Sequence, residues 1–153
     1  MGRRVSGIIN PAGDMAETII IKALKVTDRE AVVTLFKDAG WWDESYGNGD
    51  FIPRIIRRST VYLGAFAGER LIGMGRAISD GVSDAYIQDV VVLKEMRGHG
   101  IGRRIVEEIV RRLRRRGIDW IGLVSTPGSE GFYESMGFEV MDRHSPMLLA
   151  RRD

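Results

Sequence analysis

Apolar side chains recur along the chain with two different periods, and the switching between them lays out a succession of strands and helices. From Glu17 to Val26 the β-branched run Thr18, Ile19, Ile20 and Ile21 predicts a strand. It should end where Thr27 and Asp28 offer side chains suited to capping a helix. Ala31, Val32, Leu35 and Phe36 then fall at helical spacing, and Gly40 is the expected stop. The stretch from Trp41 to Asp50 is rich in glycine and polar residues and predicts a loop, although it carries Trp41, Trp42 and Tyr46. A short helix is expected over Phe51 to Arg58. Thr60 to Ala67 and Arg70 to Ser79 follow as strands about a Gly68-Glu69 turn, and a second turn at Asp80 to Asp84 leads into an apolar strand over Ala85 to Leu93. Three adjacent antiparallel strands should result.

In the second half, Ile101, Ile105, Val106, Ile109, Val110 and Leu113 share one face of a helix that runs to Arg116 and is closed by Gly117. Trp120 to Ser125 predicts a further strand, Ser129 to Met136 a short helix stopped by Gly137, and Phe138 to Met141 with Met147 to Ala150 two final strands. The order β-α-α-β-β-β-α-β-α-β-β implies an α/β domain, with a mixed, mostly antiparallel sheet flanked by helices on both faces.

Composition narrows the picture further. At 153 residues the chain has room for one compact domain, expected over residues 15–153, behind an aperiodic and therefore flexible extension over residues 1–14. Apolar residues make up 44% and charged residues 29%, which predicts a soluble protein rather than a disordered or membrane-inserted one. The first residues lack the apolar stretch of a signal peptide, so a cytoplasmic location without membrane attachment is expected. Cysteine is absent, which removes thiolate nucleophiles and thiolate metal sites. The two histidines, His99 and His144, have no metal-ligand spacing, so no metal is expected. Arg103, Arg104, Arg111, Arg112, Arg114, Arg115 and Arg116 form a basic run, but most lie off the apolar face of their helix. A solvated helix surface accounts for most of them, and no nucleic-acid partner is expected.

The segment with most chemical content is Arg97-Gly98-His99-Gly100-Ile101-Gly102, between a strand and a helix. Its glycines clear Cβ atoms from the approach to the backbone, and the free amides and positive dipole end of the helix suit a pyrophosphate. Arg97 adds a charge-assisted donor. A dinucleotide fingerprint would need glycine where Arg103 stands, and the Gly-Lys-Ser/Thr of a Walker loop is absent.

Arg97, Gly100 and Gly102, following Val90-Val91-Val92, resemble the R-x-x-G-x-G acyl-CoA signature of the GNAT superfamily of N-acyltransferases. Gly131-Phe132-Tyr133-Glu134-Ser135-Met136-Gly137-Phe138 looks like that superfamily's F-Y-x-x-x-G-F segment, and the spacing between the two blocks agrees. Gly73 to Gly81 and Ile87 to Val90 further resemble a branch that acetylates small amines. Ser125-Thr126-Pro127 departs from the asparagine common near the end of the fifth strand, and Lys94 stands where proline is common.

The resemblance implies a GNAT-like fold and an enzyme that carries an acetyl group from acetyl-CoA to a primary amine, with a small molecule expected as acceptor. It implies cofactor contacts from Val90, Val91 and Val92 through a splayed strand, and from Arg97, Gly98, His99, Gly100, Ile101, Gly102, Arg103 and Arg104 around the pyrophosphate. Tyr133 would stand near the thioester sulfur as proton donor, and Asp89 near the amine as proton acceptor. Trp41, Trp42 and Tyr46 are expected to edge the acceptor pocket, where flat rings can stack on an apolar or cationic amine. A homodimer is compatible with this family. An acyl-CoA sensor on the same fold, or an enzyme acting on protein N-termini or lysines, remains the alternative.

Overall fold

The structure is a computed structural model that describes residues 18–150. The expected extension over residues 1–14 lies outside them. Five strands, β1 (Ile19–Ala23), β2 (Val61–Ala67), β3 (Arg70–Ser79), β4 (Asp84–Val92) and β5 (Trp120–Leu123), lie side by side in chain order. The first four pair antiparallel and β5 joins β4 in parallel, giving the expected mixed sheet. Four α-helices accompany it: α1 (Arg29–Asp38), α2 (Ile52–Arg58), α3 (Ile101–Arg114) and α4 (Glu130–Glu134).

α1 and α3 form where the apolar period predicts them, and α2 and α4 fall within the two short helices expected. Val32, Leu35 and Phe36 bury the inner face of α1. Its end is a left-handed glycine, Gly40 at φ 76°, behind which the Trp41 amide reaches back to Phe36 O at 2.9 Å. Asp28 differs from expectation: its carboxylate accepts from the Lys25 amide at 2.7 Å, bracing a single 3-10 turn ahead of α1 rather than capping α1 itself. On α3, Ile101, Ile105, Val106, Ile109 and Leu113 are all at most 1% exposed. At roughly 1.5–3 kcal/mol for each large apolar side chain buried, this face is a main tie between helix and sheet.

Glycines on β3 set how closely α3 approaches. A Cβ on Gly75 would lie 2.9 Å from Ile105 Cγ2 and 3.1 Å from Ile109 Cδ1, and one on Gly73 would lie 3.1 Å from Ile105 Cδ1. Strand residues alternate in direction, so Gly73, Gly75 and Ala77 face α3 while Met74, Arg76 and Ile78 face the side where α1 and α2 pack.

The two strands expected after α4 are not formed. Phe138 to Met141 and Met147 to Ala150 have no ladder partner, a turn at Asp142 and Arg143 lies between them, and Met147, Leu148 and Leu149 are more than 90% exposed. β-propensity describes side chains that fit a pleated surface, but a strand exists only where a neighbour takes its backbone hydrogen bonds. Among the described residues β5 pairs with β4 alone.

Gly75→Ala should lower stability by about 1–3 kcal/mol, because the γ-methyl of a β-branched isoleucine has no alternative rotamer that keeps its packing. Urea denaturation of the variant beside the parent protein measures the loss.

Candidate functional site

The pairing of β4 changes abruptly halfway along. Its parallel register with β5 runs from Asp84↔Trp120 to Ile87↔Leu123 and stops, whereas β4 itself continues to Val92. Gln88 to Val92 therefore keep β3 on one edge and face an opening on the other. At the same point the register with β3 shifts from Arg76↔Gln88 to Met74↔Val91, setting Asp89 and Val90 together opposite Gly75. This is a β-bulge, and its first residue, Asp89, has φ 52°. A non-glycine residue in the left-handed region costs on the order of 1–3 kcal/mol and is held there only by its surroundings.

The opening leads to the turn before α3. Gly98 and Gly100 have φ 79° and 73°, and a Cβ built on either meets no atom within 4 Å, so the space over both is clear. The first amide here to bond back is that of Arg104, to Gly100 O at 3.1 Å, and no side chain caps the helix. The amides of Ile101, Gly102 and Arg103 thus remain donors at the positive end of a 14-residue helix. Gly102 has a packing role as well: its Cβ position lies 3.4 Å from Phe132 Cζ, where α4 comes close to the start of α3. A bare glycine turn, free helix amides and a strand edge without a ladder partner beyond Ile87 fit an extended molecule with a phosphate-bearing end and an amide-bearing arm.

The charged side chains of this turn are less free than its amides. Arg97 Nε donates to Val92 O at 3.0 Å, and His99 Nδ1 lies 3.1 Å from Met96 O. Arg103 donates to Ser135 Oγ and Ser135 O, both at 3.2 Å, and to Glu107 at 2.8 Å, tying α3 to the end of α4. Arg104 Nη2 donates to Ile19 O at 2.9 Å, tying α3 to β1. Both arginines expected to meet phosphate through their side chains therefore hold the fold together.

Tyr133 lies on α4, with Phe132 and Phe138 edge-on at centroid distances of 4.9 and 5.8 Å. Its ring packs against the core and its hydroxyl has no hydrogen-bond partner among the described residues. Burial pushes the phenol above its ordinary pKa, so it stays protonated throughout the neutral range.

Asp89 is engaged. Its Oδ2 accepts from Arg76 Nε, and Gln88 Oε1 accepts from Arg76 Nη2 at 3.0 Å. Tyr62 stands opposite Arg76 on β2 and donates to Met74 Sδ at 3.3 Å. Burial, followed by the nearby Asp89 charge, pushes the Tyr62 phenol far up, and Arg76 opposes this only in part. Neither Arg76 nor Tyr62 stands out in the sequence, because each joins the site only through strand register.

Trp41, Trp42 and Tyr46 form one aromatic cluster. Trp41 is edge-on to Phe36, Trp42 stacks on Phe51 at 6.2 Å, and Tyr46 meets both Trp42 and Phe51. Phe51 is the member that reaches the cleft beside Arg76, a space of about 290 Å³ also lined by Arg54, Ile55, Arg58, Ser59 and Ile78. Trp42 and Tyr46 stand behind Phe51, and Trp41 behind Phe36, rather than on the lining.

Comparison with known proteins identifies the family. The sequence matches the acetyltransferase (GNAT) family over residues 29–138, and the chain belongs to that family. It is 44% identical over 71 residues to GCN5-related N-acetyltransferase 2, chloroplastic, of Arabidopsis thaliana, covering 46% of this chain and 28% of that one. It is 41% identical over 69 residues to serotonin N-acetyltransferase 2, chloroplastic, of Oryza sativa subsp. japonica, covering 45% of this chain and 34% of that one. The aligned part thus spans about a third of these curated relatives. A GNAT family acetyltransferase from Streptococcus pneumoniae superposes with a TM-score of 0.71 at 27% identity, over 89% of this chain and 98% of the other.

The buried Tyr62 sets a pH dependence. With its folded pKa raised above the ordinary value of 10.0, its contribution to stability is complete below pH 10 and is lost as pH rises toward the folded value, because the unfolded chain ionises first. Tyr62→Phe should match the parent near pH 7 and lose less stability between pH 9 and 11. Urea midpoints across that range test this.

Proposed function

We propose that this chain transfers the acetyl group of acetyl-CoA to the primary amine of a small molecule. The observation that carries the proposal is the opening along Gln88 to Val92, which runs from the bulge at Asp89 to the bare glycine turn and free amides at the start of α3. The main chain of Val90, Val91 and Val92 would hold the pantetheine arm by hydrogen bonds. The amides from Gly98 to Arg103 would take the pyrophosphate, with the Arg97 and His99 side chains at its edge. The bound acetyl thioester supplies an electrophilic acyl carbon. The Tyr133 hydroxyl, unpartnered and kept protonated by burial, holds a proton for the sulfur that leaves. Asp89 offers Oδ1 to the ammonium form of the acceptor while Arg76 fixes Oδ2, so the carboxylate orients the amine and passes its proton to water. Trp42 and Tyr46 back the acceptor side through Phe51, and Trp41 does so at one remove through Phe36.

Release of free thiol from acetyl-CoA with a panel of small aromatic and aliphatic amines, aminoglycosides and short peptides tests the proposal. Turnover with small amines is expected. Acetyl-CoA binding without thiol release would indicate a sensor, and a preference for peptides by orders of magnitude in kcat/KM would indicate a protein-modifying enzyme.

Gly100→Val should abolish acetyl-CoA binding measured by calorimetry, because its side chain would occupy the clear space over the turn. A branched residue at φ 73° also strains the turn, so circular dichroism should establish in parallel that the variant remains folded. Unchanged affinity would remove the turn from the site.

Tyr133→Phe should lower kcat about 10- to 1000-fold with a much smaller change in the KM for acetyl-CoA, as expected of a group that acts in the transition state. Single-turnover thiol release measures the chemical step directly.

A further inference from the structure

The cleft between α2 and β3 is unusually cationic for a site that must receive an amine. Arg54 and Arg58 lie one helical turn apart on α2, so they project from the same face, and Arg76 lines the opposite wall. Phe51, Ile55 and Ile78 supply apolar lining, and no acidic residue lines the cleft. Arg76 is committed to Asp89 and Gln88, whereas neither Arg54 nor Arg58 has an ion-pair or hydrogen-bond partner among the described residues. Three guanidinium groups therefore line the cleft, and the carboxylate of Asp89 adjoins that lining through its ion pair with Arg76.

An acceptor whose only charge is its ammonium would be drawn to Asp89 but repelled by the two uncompensated arginines. An acceptor that also carries an anion satisfies both ends, because guanidinium groups bind carboxylate and phosphate through paired, charge-assisted hydrogen bonds.

We propose that the acceptor is an amine bearing a carboxylate or phosphate group, which Arg54 and Arg58 hold while Asp89 takes the ammonium end. This rests on the acetyltransferase function proposed above and specifies the substrate class of the same site. The apolar lining from Phe51, Ile55 and Ile78 lies under the part of the acceptor that joins its two charged ends. Arg54 and Arg58 act as specificity determinants, touching the acceptor far from the reacting nitrogen.

Matched acceptors test this: β-alanine against propylamine, phenylalanine against phenethylamine, and O-phosphoethanolamine against ethanolamine, each with the parent protein, Arg54→Gln, Arg58→Gln and the double variant. The anionic member of at least one pair should be preferred at least 10-fold in kcat/KM, and the pair that shows it distinguishes carboxylate from phosphate. In the double variant the ratio of anionic to neutral kcat/KM should fall about 10- to 100-fold, as expected for loss of charge-assisted hydrogen bonds, mainly through acceptor KM. Equal use of neutral and anionic members by the parent, or a preference that survives in the double variant, overturns the proposal. If no amine releases thiol, the acetyltransferase function fails separately. The anion site is then decided by calorimetric titration of β-alanine and O-phosphoethanolamine in the presence of CoA: binding by the parent that is weakened at least 10-fold in the double variant supports it, and absent or equal binding overturns it. Arg54 and Arg58 are exposed, so their replacement by glutamine leaves the core intact.

Discussion

The structure turns on an unfinished ladder. A strand inside a sheet ordinarily satisfies its main-chain donors and acceptors on both edges, and leaving them unpaired is costly unless solvent or a ligand takes the neighbour's place. β4 keeps both neighbours as far as Ile87 and then loses β5, which ends at Leu123. The bulge at Asp89 coincides with that parting and turns the strand at the same residue that carries the site's carboxylate. Backbone donors, an acidic side chain and an opening between strands thus arise from one local irregularity.

What keeps the opening from collapsing is the way α3 is anchored. Its apolar face is pulled close to the sheet over Gly73 and Gly75, while Arg104 fastens it to β1 and Arg103 to Ser135. These contacts hold the helix N-terminus beside the glycine turn without using the amides that a phosphate needs. On the opposite face, burial of Tyr62 and Met74 beneath Arg76 gives the Arg76–Asp89 ion pair a drier setting than a surface pair has, with the two side chains 16% and 24% exposed. An ion pair so placed is held more by mutual geometry than by Coulomb energy alone, which suits the orienting role proposed for Asp89.

Much of this is legible in the amino-acid sequence. The two periods of the apolar pattern are local properties, and so are the left-handed glycines that end α1 and precede α3, because each depends on neighbours within a few residues. The Arg97 to Gly102 turn and the Phe132-Tyr133 block could be read for the same reason: their chemistry lies in consecutive residues. Those features pointed to a mixed sheet with helices on both faces and to membership of the GNAT family, and they mark out the bare glycine turn that the proposed function assigns to a phosphate.

Long-range register decided the remainder. Arg76 and Asp89 are 13 positions apart, and Arg104 and Ile19 are 85 apart, so nothing in either local pattern announces the pairing. Most of the basic run on α3 reads as solvated surface and Arg103 and Arg104 as phosphate contacts, yet both arginines are structural ties. Arg54 and Arg58 fall in a short expected helix, and only the tertiary structure brings them to one cleft with Arg76. The same reason explains the two final strands that did not form, since alternating side chains after Gly137 express a preference, whereas pairing requires an adjacent backbone that only the tertiary structure can supply.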